Sequence, residues 1–297
     1  MTARLLYSSD TAKGWRPWGL LVPFLAIVFV VLTGLGPEIA LGNAGLLDAS
    51  DNPKGLLGFA AFLFIPFALL GLVVLAWVRF VERRSVASIG LAPERATGTF
   101  LIGHLTGTAM ASAIVAGIWL AGGFKIGAIA PALLSPGALA GIAVLGACFA
   151  VQSSVEELLF RGWMLSAASA KLGIVLAIVL SCAVFVLLHF EHGAKPLVYA
   201  NTLLFALFAC AWALRRGHIW GVMGWHAGWN WILAVGFASR VTGLDTHMPA
   251  LIAQTTESGP VWLTGGGQGP EGSVVCTAAL LLGIAWFALQ RGSSNPR

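Results

Sequence analysis

Eight apolar runs, each close to the twenty or so residues needed to cross a bilayer, govern what this chain can fold into. They lie near residues 18–36, 56–78, 99–121, 137–160, 172–190, 196–214, 218–238 and 273–290. In hydrocarbon every backbone N–H and C=O must find its partner inside the protein, so such runs become helices. The expected fold is all-α: a polytopic membrane protein of about eight transmembrane helices, forming a single integral membrane domain over 1–297. Composition agrees, since 58% of the 297 residues are hydrophobic and 10% charged, and the mean hydropathy is +0.87. Soluble domains carry about a quarter charged residues.

Charge placement sets the orientation. With the N-terminus inside, the inner segments hold Arg4, Lys13, Arg16, Arg79, Arg83, Arg84, Arg95, Arg161, Lys171, Arg215, Arg216, Arg291 and Arg297. Only Lys54, Lys125, Lys195 and Arg240 remain for the outside. The positive-inside rule then makes both termini cytoplasmic, in a membrane expected to be the bacterial inner membrane. The first apolar run is longer than a signal-peptide core and reads as a retained helix. The net charge of +5 thus reports topology, and the expected partners are the lipid bilayer and a membrane-associated peptide or protein, with no nucleic acid. Cys148, Cys182, Cys210 and Cys276 lie singly in apolar runs and read as small buried residues. The glycine-rich segment 239–272 is expected to be a mobile external loop, with a role in gating substrate open to it.

Ionisable groups inside spans carry an insertion penalty and mark function. In VEELLFRGW (155–163), Glu157 and Arg161 stand four apart, the spacing of an intrahelical ion pair. Glu156 points about 100° away. A division of labour follows, with Glu157 held by Arg161 and Glu156 free to act; the alternative is a helix leaving the membrane there with its charges at the interface. In GHIWGVMGWHAGWNW (217–231), Gly217, Gly221, Gly224 and Gly228 form a small-residue stripe suited to close helix approach. His226 and Asn230 project from the opposite face, with Trp225 and Trp229 flanking them. FVLLH adds Phe185 and His189, again four apart. His104 reads as a satisfied structural histidine, and His192, His218 and His247 as loop or interface residues.

A free carboxylate, two histidines and an asparagine in one cavity suit hydrolysis. Glu156 would take a proton from water, and His226 and Asn230 would donate to a developing oxyanion. His189 would hold the water or bind a metal. Glu156, His189 and His226 also make a possible three-ligand zinc set with an open position, although HExxH is absent. The residues leave both mechanisms open.

EELLFR (156–161), FVLLH (185–189) and HAGWN (226–230) match, in order, the EExxxR, FxxxH and HxxxN motifs of the CAAX prenyl protease and bacteriocin-processing (CPBP, Abi-type) family of intramembrane proteases. The resemblance covers roughly 137–238, which it marks as a catalytic core. It implies an endopeptidase acting on a membrane-associated substrate, prenylated or bacteriocin-like. Glu156, His189, His226 and Asn230 would be catalytic, and Glu157, Arg161 and Phe185 supporting. No cofactor is expected; zinc on His189 and His226 is the alternative.

One expectation is in tension with these roles. Straight helices over 137–160 and 172–190 place Glu156 near the inner face and His189 near the outer one, at 1.5 Å per residue. Their meeting requires 157–170 to fold back into the membrane, or helices that are steeply tilted or broken. Two further functions compete: a proton- or cation-coupled transporter built on the same polar cluster, which would show a polar path or an inverted repeat, and a non-catalytic scaffold for membrane peptides.

Overall fold

A computed structural model describes residues 6–8, 12–94, 96–190 and 193–290. His192, Arg4, Arg95, Arg291 and Arg297 lie outside the described residues. The chain forms helices α1 (Val22–Asn43), α2 (Gly55–Ala76, extended by a π turn Trp77–Val81) and α3 (Ala96–Leu120). Strand β1 (Phe124–Ile129) precedes α4 (Pro136–Glu157), which runs through a π segment (Leu158–Met164) into α5 (Leu165–Leu172). Then come α6 (Ile174–Leu188), α7 (Pro196–Arg216), α8 (Trp220–Trp231, extended by π turn Ile232–Gly236), β2 (Ala253–Glu257), short α9 (Val261–Thr264) and α10 (Val274–Leu289). Among the described residues, five helical stretches are long and apolar enough to cross a membrane, and α6 and α10 are shorter apolar helices. Side chains such as Phe24, Leu32, Leu72 and Leu105 face outward from them, as lipid contact requires.

The segments between helices sort onto two faces. On one, Gly14 N–H donates to the Glu82 carbonyl (2.9 Å) and Ile219 N–H to that of Gly90 (3.0 Å). The Trp220 indole reaches the Ala92 carbonyl (2.7 Å). On the other, β1 and β2 pair antiparallel, Phe124 opposite Glu257 and Ile129 opposite Ala253 with an irregularity between. This sheet has no counterpart in the sequence reading. Segment 239–272 is likewise a built structure rather than a bare glycine loop: it contains β2 and α9, and Thr264 is buried.

The sharpest correction concerns the fourth span. The helix does not end at 160, and 157–170 does not fold back. Pro136–Leu172 is one apolar helical rod of 37 residues, started by Ser135, whose hydroxyl caps the Ala138 N–H, and ended at Gly173 with φ +78°. Chain direction reverses there into α6. Glu156 and His189 then stand about 25 Å and 24 Å along their helices from that turn, at 1.5 Å per residue, so they are level. The π segment Leu158–Met164 lies within the rod, directly after Glu157.

Helix α8 is seated by its glycines. A Cβ on Gly224 would lie 1.9 Å from the Phe100 carbonyl oxygen, and one on Gly228 2.1 Å from that of His104. On α3, Gly103 and Gly107 return the contact, with Cβ positions 2.0 and 1.9 Å from the Gly221 and Trp225 carbonyl oxygens. The two backbones are in direct contact along a face without side chains. Gly217 is not part of it; with φ +71° it terminates α7. His104 also departs from expectation, since its buried Nδ1 has no hydrogen-bond partner among the described residues.

Candidate active site

Three elements converge on the polar cluster: the α4–π junction, the C-terminal end of α6, and the face of α8 turned away from α3. Burial of Arg161 (0% exposed) and Glu157 (0%) removes the reading in which these charges mark a helix leaving the membrane. Arg161 Nη1 lies 3.1 Å from Glu157 Oε1, and its guanidinium carbon 4.5 Å from the Phe185 ring centroid. Aromatic faces attract such a cation. The other side of the story is His189, whose ring stacks on Phe185 at 4.2 Å. Phe185 therefore couples the ion pair to the histidine, a contact that the four-residue spacing alone does not reveal.

Glu157 does more than hold Arg161. The same Oε1 lies 2.9 Å from His226 Nδ1. A carboxylate can only accept, so Nδ1 carries the proton of this bond and Nε2 faces away from Glu157. Nε2 is 3.9 Å from Glu156 Oε2, beyond direct hydrogen-bond length. Glu156 Oε1 accepts from Gln152 Nε2 at 2.6 Å, while Oε2 is buried without a hydrogen-bond partner among the described residues. Both carboxylates are held through Oε1 alone, and both Oε2 atoms lack a hydrogen-bond partner among the described residues; the difference lies in the partners, Arg161 and His226 for Glu157 and the neutral Gln152 for Glu156.

Gln152 is a residue that sequence reasoning missed. Its Oε1 accepts from Asn230 Nδ2 (3.2 Å), so one side chain ties Glu156 to Asn230. Asn230 also donates to Ser153 Oγ (3.3 Å). The available signal was the four-residue step from Gln152 to Glu156, the same spacing that singled out Glu157 and Arg161. Phe205 was missed as well; it packs edge-on against His226 at 4.8 Å. Tyr7, far off in sequence, donates its hydroxyl to the Arg161 carbonyl (2.6 Å), satisfying a carbonyl inside the π segment.

Two adjoining cavities open on these groups. One is lined by His189, His226, Asn230, Trp229 and Glu271 among others. The second is lined by Glu156, Gln152, His189, Asn230 and the apolar side chains of α2. His189, Asn230 and Thr242 border both. Glu156, His189, His226 and Asn230 are therefore gathered round one bipartite space. Trp229 walls it as expected; Trp225 instead packs into the aromatic core against Phe205 and Phe208. His189 Nδ1 is bonded to the Phe185 carbonyl (2.8 Å), which leaves Nε2 for the cavity.

Among the described residues no three His, Cys, Asp or Glu side chains come together as ligands. His226 is bonded to Glu157 and His189 to a backbone carbonyl, each through Nδ1, the kind of bond that metal-ligating histidines also make with their second ring nitrogen, so both Nε2 atoms stay open. His218 and His247 lie in connecting segments; burial and Arg216 depress the His218 pKa, and His247 sits by Asp245 at 3.4 Å.

Residues 137–232 match the family model described as type II CAAX prenyl endopeptidase, Rce1-like. The match covers about a third of the chain and takes in all three motif segments together, in agreement with the resemblance they carry. Comparison with curated proteins and with solved structures gave no match.

Proposed function

We propose that the protein is an intramembrane endopeptidase of the CAAX type in which Glu156 activates water without a metal. The observation that carries this reading is the buried Oε2 of Glu156, unpartnered among the described residues and 3.9 Å from His226 Nε2. A water touching both atoms would sit off the line between them, at the edge of the cavity that His189 and Asn230 also line. Glu156 removes its proton as the oxygen attacks a peptide carbonyl. His189 Nε2 accepts the water's other hydrogen and fixes its direction.

His226 and Asn230 serve the carbonyl oxygen. Glu157, anchored by Arg161, fixes the His226 ring through Nδ1–H, and Nε2 is the atom presented to substrate, where it donates to the carbonyl oxygen in the imidazolium form, with a proton on both ring nitrogens. Both hydrogen bonds of the Asn230 amide are long, at 3.2 and 3.3 Å, so an oxyanion competes for it at small cost. Donors held in place inside a dry site stabilise developing charge far better than water does. Glu156 then returns its proton to the leaving amine.

The substrate is a membrane-associated peptide, prenylated or bacteriocin-like, and the chain sits in a bacterial inner membrane with both termini in the cytoplasm. Support comes from the Rce1-like match and from the sorting of the basic residues. Among the described residues the buried polar groups fall in separate clusters, one at the site and one around Glu82, Arg84 and Ser166. The test is cleavage of a membrane-peptide library by purified protein in lipid. Wild type and Glu156→Gln are compared, each with and without a zinc chelator. Cleavage lost in the variant and indifferent to chelation is the expected result. Loss on chelation with rescue by zinc would overturn the metal-free mechanism.

A further inference from the structure

Outside the matched segment, one more carboxylate faces the site. Glu271 lines the same cavity as His189, His226 and Asn230. Its Oε1 accepts from the Trp229 indole (2.9 Å), and its Oε2 from the backbone N–H of Thr242 (2.7 Å) and the Thr242 hydroxyl (3.3 Å). Trp229 adjoins Asn230 on α8, and Thr242 is one of the three residues bordering both cavities. One side chain therefore fastens segment 239–272 to the catalytic helix at the point where the two cavities meet.

The backbone at that point is strained. Val241 and Leu244 exchange both backbone hydrogen bonds, closing a two-residue turn, and its central residues Thr242 and Gly243 have φ +48° and +80°. Positive φ at both positions defines a type I′ turn, which favours Asn-Gly. Glycine is at home there, but a β-branched threonine is not. Strained residues persist where the surroundings hold them and cluster at functional sites. The Glu271 carboxylate supplies that hold by taking both Thr242 donors.

We propose that the Val241–Leu244 turn is the movable outer wall of the site and that Glu271 is the positioning residue that keeps it shut. The turn tip separates the cavity beside Glu156 from the one beside His226, and a peptide lying across both meets Thr242 first. When Glu271 lets go, Thr242 relaxes to negative φ and the wall withdraws. The inference takes its substrate, though not its geometry, from the peptidase reading.

Cys276 lines the cavity beside Glu271 and is buried, so it reports on the wall without any substrate. The experiment measures its modification by a small methanethiosulfonate reagent on the full chain in lipid, with peptide mapping to separate it from the other cysteines. Glu271→Gln leaves only one oxygen to accept, and Cys276 should react about ten-fold faster. Adding Thr242→Asn, the residue that type I′ turns prefer, should bring the rate back to within about two-fold of wild type. Thr242→Asn alone, which needs no loss of a buried carboxylate, should slow labelling about three-fold. Unchanged labelling in Glu271→Gln, a double variant as open as the single one, or Thr242→Asn alone labelled no slower than wild type would each overturn the proposal. In cleavage, Glu271→Gln should raise KM about five-fold and leave kcat within about two-fold, as for an interaction that serves ground and transition states alike. A gated Cys276 with no cleavage of any peptide leaves the latch standing and overturns the peptidase reading. Cleavage with an ungated Cys276 does the reverse.

Discussion

Glu156 and Glu157 are chemically identical neighbours whose surroundings divide them. Glu156→Gln keeps an oxygen for Gln152 and nearly the same shape, so cleavage should fall about 10²- to 10⁴-fold, the range expected for a lost general base. Its thermal midpoint in detergent should stay close to that of wild type. Glu157→Gln should behave differently, because Arg161 and His226 both lean on one oxygen. Unpairing a buried arginine costs about 3–5 kcal/mol, and the His226 ring loses its orientation too. A lower midpoint together with weakened cleavage is expected, read by thermal unfolding and by a peptide assay side by side. A variant that is dead yet as stable as wild type would transfer the base to Glu157. The pairing of Glu157 with Arg161 was legible from a four-residue step. The Glu157–His226 bond, between residues 69 apart, was not, because no local periodicity records which helices face each other.

At the scale of elements, the glycine stripe on α8 is legible in its own spacing, but nothing in that spacing names the helix it packs against. Gly103 and Gly107 show the same small-residue spacing on α3, and the pair is visible once both are set side by side. Gly224→Ala and Gly107→Ala should each destabilise the bundle, since the intruding methyl would sit 1.9 Å from a backbone carbonyl that cannot rotate away. Overpacking of this kind typically costs about 1–3 kcal/mol. Gly34→Ala on α1, with nothing within 4 Å, is the control and should be neutral in the same thermal melt. The end of α4 was misread for a different reason. Hydropathy falls at Glu156, Glu157 and Arg161, and a window average treats that fall as an exit from the membrane. Here the charges are buried and satisfy one another, so the helix continues through a π segment, a feature often found at functional sites.

For the whole molecule, alternating hydropathy located the apolar helices in order, five of them long enough to cross a membrane among the described residues, while the β1–β2 pairing escaped it because two short exposed strands carry little pattern. That pairing joins the segment before α4 to the one after α8, and in the proposed orientation both lie outside. Lys125→Cys on β1 should therefore be labelled by a membrane-impermeant thiol reagent added to intact cells, and Glu94→Cys only after the membrane is opened. The four native cysteines are buried and give little background; the opposite pattern would invert the orientation. The turn at Gly173 has a consequence of its own. Glu156 and His189 take their level from a distance measured along the protein, about 25 Å from that turn, and not from the lipid around it. Hydrocarbon thickness differs by several ångströms between membranes. A substrate anchored by a lipid moves with the bilayer surface, while the cutting point does not. On the peptidase reading, a displacement of the bilayer surface by about 3.3 Å relative to the site, one residue of extended chain, would then shift the scissile bond by one position, so the composition of the membrane would help to choose which bond is cut.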